Sequence, residues 1–116
     1  MIALKTAKTA VKALENKRGK NIQLYEVGSF LGFTDYIIIV SGSSSPQLKA
    51  LADEVEKELF EAGEDIIGVE GKGGSNWILV DTGTIVVHIF TEEAREYYEL
   101  DSLYQNSEAF EKSNLE

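Results

Sequence analysis

Apolar residues along this chain recur with two different periods, and the places where the period switches mark out its elements. Over residues 2–17, Ala3, Ala7, Ala10, Val11 and Leu14 fall at helical spacing, with Lys5, Lys8 and Lys12 on the other side; this predicts an amphipathic helix. Lys17-Arg18-Gly19 closes it, cations in the last turn followed by a glycine. Residues 21–27 then read as a first strand, residues 28–33 as a loop carrying aromatics, and residues 35–40 as a second strand. In that second strand Tyr36, Ile38 and Val40 alternate with Ile37 and Ile39. Both faces are apolar, so the strand is expected at the centre of a sheet covered on both sides. The helical period returns in Leu48, Leu51, Ala52, Val55 and Leu59. Ser44 and Gln47 have the spacing of a capping box, Pro46 sits in the first turn where its missing N–H costs nothing, and Gly63 ends the helix. A short third strand over 66–69, a hairpin of strands 77–81 and 84–90, and a helix over 91–104 complete the pattern. The order α-β-β-α-β-β-β-α implies an α/β chain, with a single mixed β-sheet of about five strands flanked by helices. One domain over 1–105 is followed by a stretch of little periodicity, 106–116, that reads as a flexible acidic tail.

The hairpin holds the only Trp, Trp77, and the only His, His88. With a tight turn at Thr82-Gly83, Asp81 pairs with Thr84, Leu79 with Val86 and Trp77 with His88. One face is then Ile78, Val80, Ile85, Val87 and Ile89, a core face. The other carries Asp81, Leu79, Val86, Trp77, His88 and, beyond them, Phe90. Three roles are open to the Trp–His pair: a hydrogen-bonded core pair beneath a covering helix, a protein-contact patch of the kind Trp anchors, or catalysis.

Charge narrows the partners. The first twenty residues carry six basic side chains and one acid, a net of +5, while the other ninety-six carry five basic and nineteen acidic, a net of −14. An acidic body is repelled by nucleic-acid phosphates and suits a basic protein. The N-terminal lysines are either a solvated helix face or a minor contact to RNA. The chain has no Cys, which removes disulfides and thiolate metal sites. No apolar run approaches the ~20 residues that span a bilayer, and the N-terminus has no apolar signal core. The expectation is a cytoplasmic protein without a membrane partner.

Catalytic motifs are wanting. One His and no Cys exclude the usual zinc sets, and no G-x-S-x-G elbow is present. Residues 68–75, "GVEGKGGS", fall short of a phosphate-binding loop because Gly74 stands where the lysine belongs and a strand follows instead of a helix. The turn Ser41–Pro46 feeds a helix N-terminus and could receive an anion, although the same residues serve as helix caps. A nucleotide-binding or phosphotransfer protein acting there is the alternative function. Metal-dependent nucleotidyl transfer needs two carboxylates alternating on a strand, and the strands offer only Asp35 and Asp81, singly.

Several motifs in order give the chain a likeness: Thr34-Asp35-Tyr36, Ser41-Gly42-x-Ser44, Ala52-Asp53-Glu54-Val55, Glu70-Gly71, Trp77, Asp81-x-Gly83, Val87-His88-Ile89-Phe90 and Arg95-x-Tyr97-Tyr98-x-Leu100. In these it resembles the ribosomal silencing factor (Iojap-like) family, from the first helix to Tyr104. The resemblance implies a nucleotidyltransferase-like fold without catalytic acids, no enzymatic activity and no cofactor. It also implies binding to the large ribosomal subunit through its fourteenth protein, which blocks joining of the small subunit and represses translation when nutrients are short. Carried over by position, the contact surface involves Trp77, Leu79, Asp81 and Thr82, supported by His88, with Asp35 and Tyr36 from the neighbouring strand. Apart from the resemblance, self-association through the same face is a third option, in which partner binding would compete with a homodimer. The chain departs from the family pattern at the turn, where Thr82 and Thr84 replace an apolar residue and an acid, and in the first strand, where Glu26 stands for Asp.

Overall fold

A strand buried along its whole length organises the molecule. In the computed structural model, which describes residues 2–27, 34–74 and 76–105, this is β2 (Tyr36–Gly42), every residue of which is buried. It lies between β1 (Lys20–Glu26), antiparallel to it, and β5 (Ile85–Thr91), parallel to it. The hairpin partner β4 (Trp77–Asp81) and the short β3 (Gly68–Glu70) extend the sheet antiparallel beyond β5, giving the order β1-β2-β5-β4-β3. The mixed five-stranded sheet read from the sequence is therefore present, with strand ends displaced by one or two residues. The loop expected at 28–33 and the tail at 106–116 lie outside the described residues.

Two helices cover one face. Helix α1 (Ile2–Asn16) buries Ala3, Ala7, Ala10, Ala13 and Leu14, and α2 (Ser45–Glu61) buries Leu48, Leu51, Ala52, Val55 and Leu59. Both pack on Ile38, Val40, Ile78, Val80, Val87 and Ile89. Small residues on α1 let it lie close to its neighbours, and the apolar area removed from water is the main stabilising term. The caps explain where these helices stop. Ser44 Oγ accepts from the Gln47 backbone N–H at 3.3 Å, as the capping box requires. The reciprocal bond differs from expectation: Gln47 Oε1 takes the N–H of Ser43, at 2.6 Å. Gly63, at φ +84°, ends α2 as expected. At the end of α1 the left-handed residue is Arg18, at φ +63°, and not Gly19. Gly19 is needed for packing, because a Cβ there would stand 2.6 Å from the Val40 side chain.

Among the described residues, the other face of the sheet is covered by a short C-terminal pair, α3 (Glu92–Tyr98) and α4 (Leu100–Gln105). Here the sequence reading is corrected. The single helix expected over 91–104 breaks at Glu99, which adopts φ +52° and donates its N–H to the Arg95 carbonyl. The break turns the chain back over Tyr25, Ile37, Ile39 and Phe90. Trp77 and Leu79 lie at the margin of this second core, partly buried.

Candidate functional site

The hairpin turn sets the geometry of the face. Gly83 has φ +92° and Thr82 donates its N–H to the Ile85 carbonyl at 3.0 Å, so the two central residues are Gly83 and Thr84. Glycine first, with only that residue at positive φ, is the arrangement of a II′ hairpin turn. The Asp81 carboxylate accepts from the Gly83 N–H at 2.8 Å and the Thr82 hydroxyl from the Ile85 N–H at 3.1 Å. These side-chain bonds hold the turn that the sequence reading placed one residue too early.

The pairing accordingly differs from expectation. Asp81 is opposite Val86, Leu79 opposite His88, and Trp77 opposite Phe90. The slip is by two residues, an even number, so every side chain stays on its expected face. Trp77 and His88 become diagonal neighbours and still meet: the indole Nε1–H donates to His88 Nδ1 at 3.0 Å. That bond leaves the imidazole proton on Nε2. His88 is 7 % exposed, and burial lowers its pKa to about 4, so the ring is neutral near pH 7. The ring is thus a neutral, buried acceptor that fixes the indole.

Around the indole is an aromatic group that the sequence reading only partly saw. Trp77 lies 4.9 Å from Phe90 and 4.8 Å from Tyr98, ring centre to ring centre. In the sequence, Tyr97 and Tyr98 belong to a motif that assigns them no role. What signal there was lay in two adjacent tyrosines just after a hairpin whose outer face carries Trp77 and Phe90. Their helix is held by Arg95, whose partners are distant in sequence. The Arg95 guanidinium donates to both Asp101 oxygens, at 2.8 and 3.1 Å, to the Asn21 carbonyl at 2.7 Å, and to Ser41 Oγ at 2.9 Å. The Tyr25 hydroxyl also donates to Asp101. Burial on its own would raise the Asp101 carboxyl, but the bonds from Arg95 and Tyr25 outweigh it and hold that group below the usual carboxylate range. Asn21, at φ +52° in an irregular stretch of β1, turns its carbonyl to this arginine.

Of the residues singled out from sequence, Trp77, Leu79, Asp81 and His88 share one face, and Thr82 stands at its turn end. Asp35 is beside that turn, its N–H bonded to the Thr84 carbonyl at 2.9 Å. Tyr36 is not brought to this face. It is 3 % exposed within the core under α1 and α2, where burial and the nearby Glu26 and Asp35 raise its pKa. The turn Ser41–Pro46 is occupied from within the chain. Ser41 accepts from Arg95, the Ser43 hydroxyl donates to Gln47 Oε1 at 2.8 Å, and Ser44 caps the helix. The Gln47 amide in turn donates to the carbonyls of Lys17 and Arg18, tying α2 to the end of α1. Among the described residues, no group of three or more His, Asp or Glu is placed to hold a metal ion, and no helix is long and apolar enough to cross a membrane.

Comparison with known proteins gives this geometry a family. A family model described as "Ribosomal silencing factor during starvation" matches residues 2–116. A ribosomal silencing factor of Chromobacterium violaceum is 39 % identical over 98 residues, covering 84 % of this chain and 80 % of that protein. One from Bacillus subtilis is 34 % identical over 97 residues, covering 84 % and 82 %. Among solved structures, a Chromobacterium violaceum protein superposes with a TM-score of 0.88 at 36 % identity, over 93 % of this chain and 90 % of that one. The motifs, the mixed sheet and these matches agree: the chain belongs to the ribosomal silencing factor family.

Proposed function

We propose that this chain is a non-enzymatic repressor of translation that binds the large ribosomal subunit through its fourteenth protein and blocks joining of the small subunit. The observation that carries this reading is the half-covered face of β4. Trp77 is only partly buried and is locked in orientation by His88; Leu79 lies alongside it, and Asp81 ends the strand. A fixed, amphipathic aromatic ringed by contacts that exclude water is how protein interfaces gain most of their affinity. Occlusion requires only affinity and bulk at the right place, so the reading needs no reacting group. Names among the relatives point the same way: a mouse protein 32 % identical over 97 residues is called mitochondrial assembly of ribosomal large subunit protein 1, and this chain covers 42 % of its length.

The test is co-sedimentation with isolated large subunits, paired with a subunit-joining assay. The wild-type chain is expected to sediment with the large subunit and to slow joining. Trp77→Ala, checked for retained secondary structure by circular dichroism, is expected to bind at least about tenfold more weakly, the scale of one lost hot-spot side chain. Unchanged joining at saturating protein would overturn the proposal; unchanged binding by the Trp77 variant would move the contact off this face.

A further inference from the structure

The face of β4 continues past the hairpin into a groove of about 840 Å³, walled by Trp77, Leu79, Tyr97 and Tyr98 and rimmed by Glu70 and Glu93. The three rings stand at different angles. Trp77 and Tyr98 are inclined by 48°, and Tyr97 meets Tyr98 edge-on at 5.0 Å and 88°. Tyr97 is 78 % exposed and Tyr98 49 %, a large share of ring surface to leave in water. Glu70 stands across the strand pair from Leu79, and Glu93 lies in the first turn of α3. Among the described residues, no lysine or arginine lines the groove. The nearby Lys72 turns to the opposite side of the molecule. Its Nζ lies 2.5 Å from Asp53 and 2.7 Å from Glu56 of α2, and those bonds raise its pKa. Among the described residues, the groove itself therefore supplies no cation to its two carboxylates.

The chemistry of an occupant follows from walls and rim together. An anion would be repelled. A purely apolar group would cover the rings but strip water from two carboxylates without replacing it. A cation on an apolar stem answers both, with the stem or guanidinium plane against the rings and the charged end at the acids. Arginine, planar and weakly hydrated, suits stacked aromatic walls better than lysine does. We infer that this groove receives an arginine side chain projecting from the basic protein that docks on the hairpin face. The identity of that protein rests on the ribosomal reading above; the preference of the groove for a guanidinium does not.

The two are separated by a titration of the full chain, labelled with ¹⁵N, against capped Gly-Arg-Gly and its citrulline counterpart, which keeps the planar shape and loses the charge. Saturable shifts of the Trp77 indole N–H and of the amides of Glu70, Tyr97 and Tyr98 are expected, with arginine binding about fivefold tighter than citrulline. The double variant Glu70→Gln/Glu93→Gln alters two exposed residues and is expected to abolish that preference. Equal affinity for the two peptides, or shifts that avoid the groove, overturns the inference. Arginine selectivity in a chain that fails to sediment with large subunits would uphold the groove and sink the ribosomal reading. Subunit binding without arginine selectivity would do the reverse.

Discussion

His88 carries a measurable consequence at the scale of one residue. Its pKa falls from 6.5 in an unstructured chain to about 4 in the fold because burial penalises the charged ring. Between those values the unfolded chain takes up a proton that the folded chain refuses, so stability rises with pH across that window and is lost as the pH falls. The shift corresponds to about 3 kcal/mol between pH 7 and pH 4. The quantity that isolates the imidazole is the difference from His88→Gln, whose amide oxygen can still accept from the Trp77 indole. Urea denaturation at several pH values is expected to give a clearly shallower slope for that variant between pH 4 and 6.5. Equal slopes would mean that the imidazole is solvated in the folded chain. The sequence made this pair legible as neighbours on one face, because that depends only on the parity of a strand. Which residues face one another depends on the turn, and there Gly83 is shifted by a bond that cannot be seen in a list of residues, from its own N–H to the Asp81 carboxylate.

At the scale of elements, the α3–α4 pair is the part whose attachment is least readable from sequence and most open to test. It places Ala94 and Leu100 against the second core, and Arg95 joins it to β1 and β2 through Asn21 and Ser41. These partners lie 74 and 54 positions away in sequence, respectively, and no periodicity reports such a bond. The caps of α2, by contrast, are local and were readable as Ser44, Gln47 and Gly63. Arg95→Met keeps the stem but removes the donors, leaving a half-buried Asp101 with Tyr25 as its remaining side-chain donor. It is expected to cost about 2 kcal/mol, with a change in near-ultraviolet circular dichroism as Tyr98 loosens from Trp77. In a double-mutant cycle with Asp101→Asn the two losses should fall short of adding by about 1 kcal/mol or more. Additive losses would show that the two side chains are not coupled. The break between the helices gives a second test. Glu99 holds a left-handed conformation that costs a residue with a Cβ about 1 kcal/mol, so Glu99→Gly is expected to leave stability unchanged or raise it by up to that amount in the same urea assay. A clear loss would assign the Glu99 side chain a contact of its own.

For the whole molecule, the decisive property is that the basic helix and the aromatic hairpin face lie on opposite sides of the sheet. Helix α1, with Lys5, Lys8 and Lys12 exposed, packs on one side, while Trp77, Leu79 and the two tyrosines lie on the other. A sheet and a packed layer separate the lysines from the hairpin face by more than about 10 Å, beyond the screening length at physiological salt. Acidic side chains, in contrast, border the face itself: Glu70, Asp81 and Glu93. An acidic face meeting a basic protein should bind more weakly as salt rises, mostly through a slower association rate. The triple variant Lys5→Gln/Lys8→Gln/Lys12→Gln is therefore expected to bind large subunits within about twofold of the wild type, with an unaltered dependence on salt. If α1 instead lay on ribosomal RNA, each lost phosphate contact would flatten the plot of log affinity against log salt by about one unit. Sedimentation at three or four salt concentrations distinguishes these outcomes, because a flatter slope with three neutralised lysines would place nucleic acid against α1 and require a contact on both sides of the sheet.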